Sequence, residues 1–155
     1  MKKYILIIAA LFLASFAYTQ SNKEEVDFMQ AAFGMEKKAV VADFVKPSPA
    51  QKDAFWKLYD EYETQRKELG KQRIVLLQQY ADQYLTMTAV QADAWTTKVI
   101  DLQKKTDNLI VTYYSKVKLI SDGLVATQFY QIESYILTAI RAQVLQNVPF
   151  LHKNP

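Results

Sequence analysis

SPAQKDAFWKLYDEYE (48–63) decides the fold, because it carries a helix start and the first turns of a helical stripe in one stretch. Ser48 and Gln51 stand in capping-box register, in which a hydroxyl accepts from the N3 amide while the glutamine side chain turns back to the N-cap amide. Pro49 falls at the first helical position, where a missing N–H costs nothing. Asp53 lies in the early turns, where the helix dipole favours negative charge. Phe55, Tyr59 and Tyr62 then recur at steps of four and three.

Forty positions on, TAVQADAW (88–95) repeats the device, with Thr88, Gln91, Asp93 and Trp95 in the corresponding places. Ser48, Gln51, Thr88 and Gln91 are therefore read as one helix-start motif used twice, and not as a duplicated chemical site. Downstream of the first copy, Phe55, Tyr59, Tyr62, Arg66, Leu69, Arg73, Leu76 and Tyr80 keep the four–three rhythm of a coiled-coil seam. Downstream of the second, Trp95, Val99, Leu102, Thr106, Leu109, Tyr113, Val117 and Ile120 follow it closely. Asp53–Lys57 and Glu63–Lys67 are expected as i,i+4 pairs on the outer face.

Only three Gly and four Pro punctuate the chain, so breaks are few and helices long. Helices are expected over 24–45, 49–85, 89–120 and 124–147. The first carries Val26, Met29, Phe33, Val40, Val41 and Phe44 and stops at Lys46-Pro47, since a residue before proline is pushed out of the helical region. The last carries Val125, Phe129, Ile132, Ile136, Ile140 and Val144. The short connection around Thr86-Met87 makes the two central helices antiparallel neighbours. The expected fold is all-α: an elongated four-helix arrangement built on a long antiparallel hairpin.

Lys2, Lys3 and the apolar run YILIIAALFLASF (4–16) have the form of a secretory signal, with Ser15 and Ala17 at the −3 and −1 places of a cleavage site. A run of 13 is short for a membrane-spanning helix, which takes about 20 residues. Cleavage is expected after Ala17, with Thr19 the other choice; a retained anchor is the alternative to cleavage. The expectation is thus an exported, periplasmic chain, with 1–17 as leader and 18–155 as a single helical domain. Loss of Lys2 and Lys3 lowers the net charge from +3 to +1, which leaves no basic excess for nucleic acid. With no Cys, the domain is held by its core alone.

Chemistry is sparse. The single His152 lies three residues from the end, without companions. No Glu-x-x-His pair, Gly-rich phosphate loop or His beside a nucleophile occurs. Adjacent acids such as Glu24-Glu25 and Asp60-Glu61 diverge around a helix. These absences point to a non-enzymatic protein with no cofactor, no metal and no small-molecule substrate. Two features stay open. Arg66 and Arg73 occupy seam positions, either laying their alkyl stems along the seam or facing an open groove or a subunit boundary. Tyrosines on the helices, Tyr62, Tyr80 and Tyr113 among them, are core residues or part of a recognition surface, for client or dimer, together with those arginines.

The ordered set VVADF (40–44), SPAQKDAFWKLYDEYE (48–63), RIVLLQQYADQY (73–84), QFYQIESYI (128–136) and LQNVPFL (145–151), with helix-start motifs and a leader, resembles an uncharacterised branch of exported helical proteins. That branch is related to the Spy/CpxP group, marked by LTxxQ at helix starts. Neither LTxxQ is intact: Leu85-Thr86 precedes the second motif, but Gln91 is spaced from Thr88, and Pro47 stands in the leucine's place before the first. The resemblance implies a cradle-shaped all-α homodimer of the envelope-stress type. Such a protein either shields unfolded or partly folded exported proteins without ATP or acts as a regulatory adaptor on a membrane sensor or anti-sigma factor.

Overall fold

The computed structural model describes residues 36–151; the expected leader, the first part of the first expected helix and His152 lie outside the described residues. The fold is all-α, with four helices and no strand among the described residues. They are α1 (36–44), α2 (Lys52–Gln83), α3 (Ala89–Ile120) and α4 (Gly123–Asn147). At 1.5 Å per residue, the 32-residue α2 and α3 each extend about 48 Å.

The helix starts are built in three ways. At α3 both halves of the capping box form: the Gln91 amide donates to the Thr88 hydroxyl at 3.3 Å, and the Thr88 amide donates to Gln91 Oε1 at 2.9 Å. At α2 only one half forms, the Ser48 amide donating to Gln51 Oε1 at 3.1 Å. The helix starts at Lys52, three residues later than expected, and Gln51 is its cap residue. The prolines at 47 and 49 hold the chain in a tight turn, closed by the Gln51 amide on the Ser48 carbonyl at 2.9 Å, so the first helical bonds are displaced by a turn. At α4 the cap is Asp122, whose Oδ1 accepts from the Leu124 and Val125 amides at 2.8 and 2.9 Å.

α2 and α3 pair antiparallel, as Gln65 Nε2 donating to the Tyr113 hydroxyl and Trp95 Nε1 donating to the Leu76 carbonyl record at the two ends. α4 returns antiparallel along α3 and parallel to α2, placing Phe129 against Tyr62 and Pro149 against Tyr80. α1 closes the end near the α3–α4 turn. There Val41, Val45, Phe55, Tyr59, Tyr62, Ile110, Tyr113, Val117, Val125, Phe129, Ile132 and Ile136 form the core. A smaller aromatic clasp sits near the α2–α3 loop: Tyr80 packs on Trp95 with ring centres 4.5 Å apart and donates to the Pro149 carbonyl at 2.6 Å.

The seams depart from the strict heptad. Ile110 is buried while Leu109 is half-buried, and Ile120 and Phe44, expected inside, are exposed. α3 packs against two neighbours, so its buried face is wider than a single coiled-coil stripe.

Candidate functional site

Three charged side chains that stand four residues from buried core positions meet inside the main core. Lys37 precedes Val41 by four, Glu63 follows Tyr59 by four, and Glu133 follows Phe129 by four, so each shares its helix's inward face. Lys37 Nζ lies 2.5 Å from Glu63 Oε1 and 2.6 Å from Glu133 Oε2, with Lys37 and Glu133 each only 1 % exposed. Arg66 Nε donates to Glu63 Oε1 at 2.7 Å, and its Nη2 to Oε2 at 3.2 Å. The Tyr62 and Tyr59 hydroxyls donate to Glu133 at 2.7 and 3.1 Å. The Lys37 ammonium also lies 5.2 Å from the centre of the Tyr62 ring and 5.5 Å from that of Tyr59, within cation–π range.

Two cations face two carboxylates, and all four carboxylate oxygens accept hydrogen bonds. Burial pushes the Glu63 carboxyl up, but Lys37 and Arg66 outweigh it and hold the group below the usual carboxylate range. Burial disfavours the Arg66 charge, yet Glu63 overcompensates and raises its guanidinium above the ordinary value. Burial, and then the Glu133 carboxylate, push the phenols of Tyr59 and Tyr62 far up, so both stay protonated donors. The cluster is balanced in charge, with every carboxylate oxygen bonded and little of it exposed. It fixes the relative placement of α1, α2 and α4.

Burial bears on the two readings left open for these residues, and for the tyrosines and Arg66 it favours the interior one. Tyr62 and Tyr113 are 1 % exposed and Tyr80 4 %, so none of the three lines a recognition surface. Each sits where three elements meet, and the interior offers its hydroxyl a partner. Arg66 completes the cluster and does not face an open groove. Glu63, expected in an outer pair with Lys67, points inward instead.

Arg73 is half-buried in a second, smaller grouping. Arg141 Nη2 donates to Asp107 Oδ1 at 2.8 Å, and Arg73 Nη2 and Arg141 Nε are buried without a hydrogen-bond partner. Burial and the nearby Arg141 charge pull the Arg73 guanidinium below its ordinary value, with Asp107 offsetting them in part.

Large apolar side chains are exposed at both ends of the rod. At the α3–α4 turn, Leu119 is 85 % and Leu124 70 % exposed. At the α2–α3 loop, Leu85 is 73 % and Val90 80 % exposed, and the Tyr80–Pro149 bond brings Phe150 to the same end. Along the flank, Ile100 and Val111 share a helical face, and exposed Tyr130 packs edge-on to Tyr114.

Among the described residues no group of His, Cys, Asp and Glu is arranged to hold a metal, and no helix is long and apolar enough to cross a membrane. No family model, curated protein or solved structure matches the chain.

Proposed function

We propose that this protein is an exported, ATP-independent binding protein of chaperone type, which holds exposed segments of other chains without making or breaking covalent bonds. The observation that carries the reading is the placement of large apolar residues in water at both ends of a helical rod whose main-core charges are already paired. Large apolar side chains left in water favour contact with other chains, while the buried cluster keeps α1, α2 and α4 in place at one end when such contacts form. The leader-like segment at 1–17 and the likeness to Spy/CpxP proteins support the periplasmic setting and the pairing of two copies.

The test uses the chain from residue 18 onward with a denatured or reduced client in ATP-free buffer. Aggregation is expected to slow at substoichiometric to equimolar protein, and Leu119→Ser with Leu124→Ser is expected to weaken the effect while the helical signal is kept. No suppression by the unaltered protein at several-fold excess would overturn the reading. Capture of one stoichiometric membrane protein from envelope extracts, in place of many denatured ones, would favour the regulatory adaptor instead.

A further inference from the structure

Between the main core and the aromatic clasp, three helices each bring one charged side chain to a common place: Arg73 from α2, Asp107 from α3 and Arg141 from α4. The grouping, like the Lys37 cluster, draws charged side chains from three helices, but it is unbalanced and more open. In the core, two cations meet two carboxylates and every carboxylate oxygen is used. Here two guanidinium groups lie near one carboxylate, which only Arg141 bonds, and Arg73 Nη2 and Arg141 Nε are left buried with nothing to donate to.

A buried lysine or acid in that position relieves its charge by titrating. Arginine does not, because its guanidinium stays protonated under all ordinary conditions. An unmet buried donor is costly, and the simplest relief is an acceptor that arrives from outside. The grouping is open to one: the Asp107 side chain is 49 % exposed and that of Arg141 21 %. A planar fork of N–H donors suits a carboxylate held by two parallel bonds. The excess of one positive charge calls for a monoanion, and Asp107 beside the site repels a dianion.

We infer that Arg73 and Arg141, flanked by Asp107, form a binding site for a single carboxylate between α2, α3 and α4. The carboxylate comes from a free small acid or from an acidic side chain of a bound peptide, and the two sources are distinguishable by affinity.

The experiment follows the arginine Nε–H resonances of the isotope-labelled chain during titration with acetate against chloride at constant ionic strength. Acetate is expected to give a saturable shift at Arg141 and Arg73 and to raise the melting temperature by a few degrees; Arg73→Gln is expected to abolish saturation. Asp107→Asn removes the competing carboxylate and is expected to tighten acetate several-fold, which keeps the test decisive if the arginine variant does not fold. A short glutamate-containing peptide that binds at least tenfold more tightly than acetate assigns the carboxylate to a chain; equal affinity assigns it to a free acid. The site is overturned if acetate and chloride act alike on the unaltered protein, or if Asp107→Asn leaves acetate affinity unchanged. Tighter binding of inorganic phosphate than of acetate would overturn the carboxylate assignment.

Discussion

Lys37 bridges two carboxylates that come from different helices, and its position makes it the residue whose loss leaves the most uncompensated charge in the core. Replacing one member of a buried ion-pair network costs about 3–5 kcal/mol, most of it from the charge left behind. Lys37→Met is therefore expected to lower stability by about that amount in urea denaturation. Lys38→Met, which removes an exposed pair with Asp60, is expected to cost under about 1 kcal/mol. The same cluster sets the pH dependence at both extremes. Glu63 is held below its unfolded value, so its contribution is present above a pH of about 4.3 and is lost as pH falls through the lower folded value. The phenols of Tyr59 and Tyr62 are raised, so their contribution is complete below a pH of about 10. Above that pH it is lost, as the unfolded chain ionises and the folded one does not. Urea midpoints are expected to fall on both sides of this window, with tyrosinate absorbance from these two residues appearing only on unfolding. A midpoint unchanged between neutral pH and pH 11 would count against the cluster as described. At this scale the sequence was only half legible. Glu63, Glu133 and Lys37 each lie at helical spacing from core residues, which is a signal. Their mutual pairing depends on three helices meeting, and no spacing within one helix encodes that.

The helix starts show what a pattern conveys and what it omits. Read as residues, Ser48–Gln51 and Thr88–Gln91 are the same motif, yet only Thr88 uses its hydroxyl as a cap. The difference comes from the prolines at 47 and 49, which close a turn where the helix was expected to begin. Thr88→Ala is expected to cost about 1 kcal/mol, measured by urea denaturation. Ser48→Ala is expected to change stability by only a few tenths, because its backbone amide and not its hydroxyl makes the bond to Gln51. Equal losses from the two substitutions would mean that both boxes close in solution. The long antiparallel hairpin itself was plain from the four–three rhythm, since repeated apolar spacing fixes which face is buried. The exact seam was not, because α3 serves two neighbours and buries Ile110 where a single stripe favours Leu109.

Across the whole molecule, burial is gathered at two places, and the stretch between them is thin. α2 has no buried residue between Glu63 and Tyr80, and α3 has none before Leu102, although Trp95 is pinned in the clasp. Local opening costs least where few apolar contacts must be broken. Backbone amides of α2 around 66–78 and of α3 around 92–101 are therefore expected to exchange with solvent hydrogen well before those around 55–62 and 110–117. The gradient is also where function enters: Arg73 lies in the thin part of α2, beside Arg141 and Asp107, and opening there brings its unmatched donor to water. An acceptor that fills the Arg73–Arg141 site ties α2 to α4 at their least-buried point. Added acetate is thus expected to slow exchange in the middle stretch selectively and to leave the main core unaffected. Uniform protection along both long helices, with or without the anion, would mean that the rod opens as a single unit and that its middle is not the compliant part.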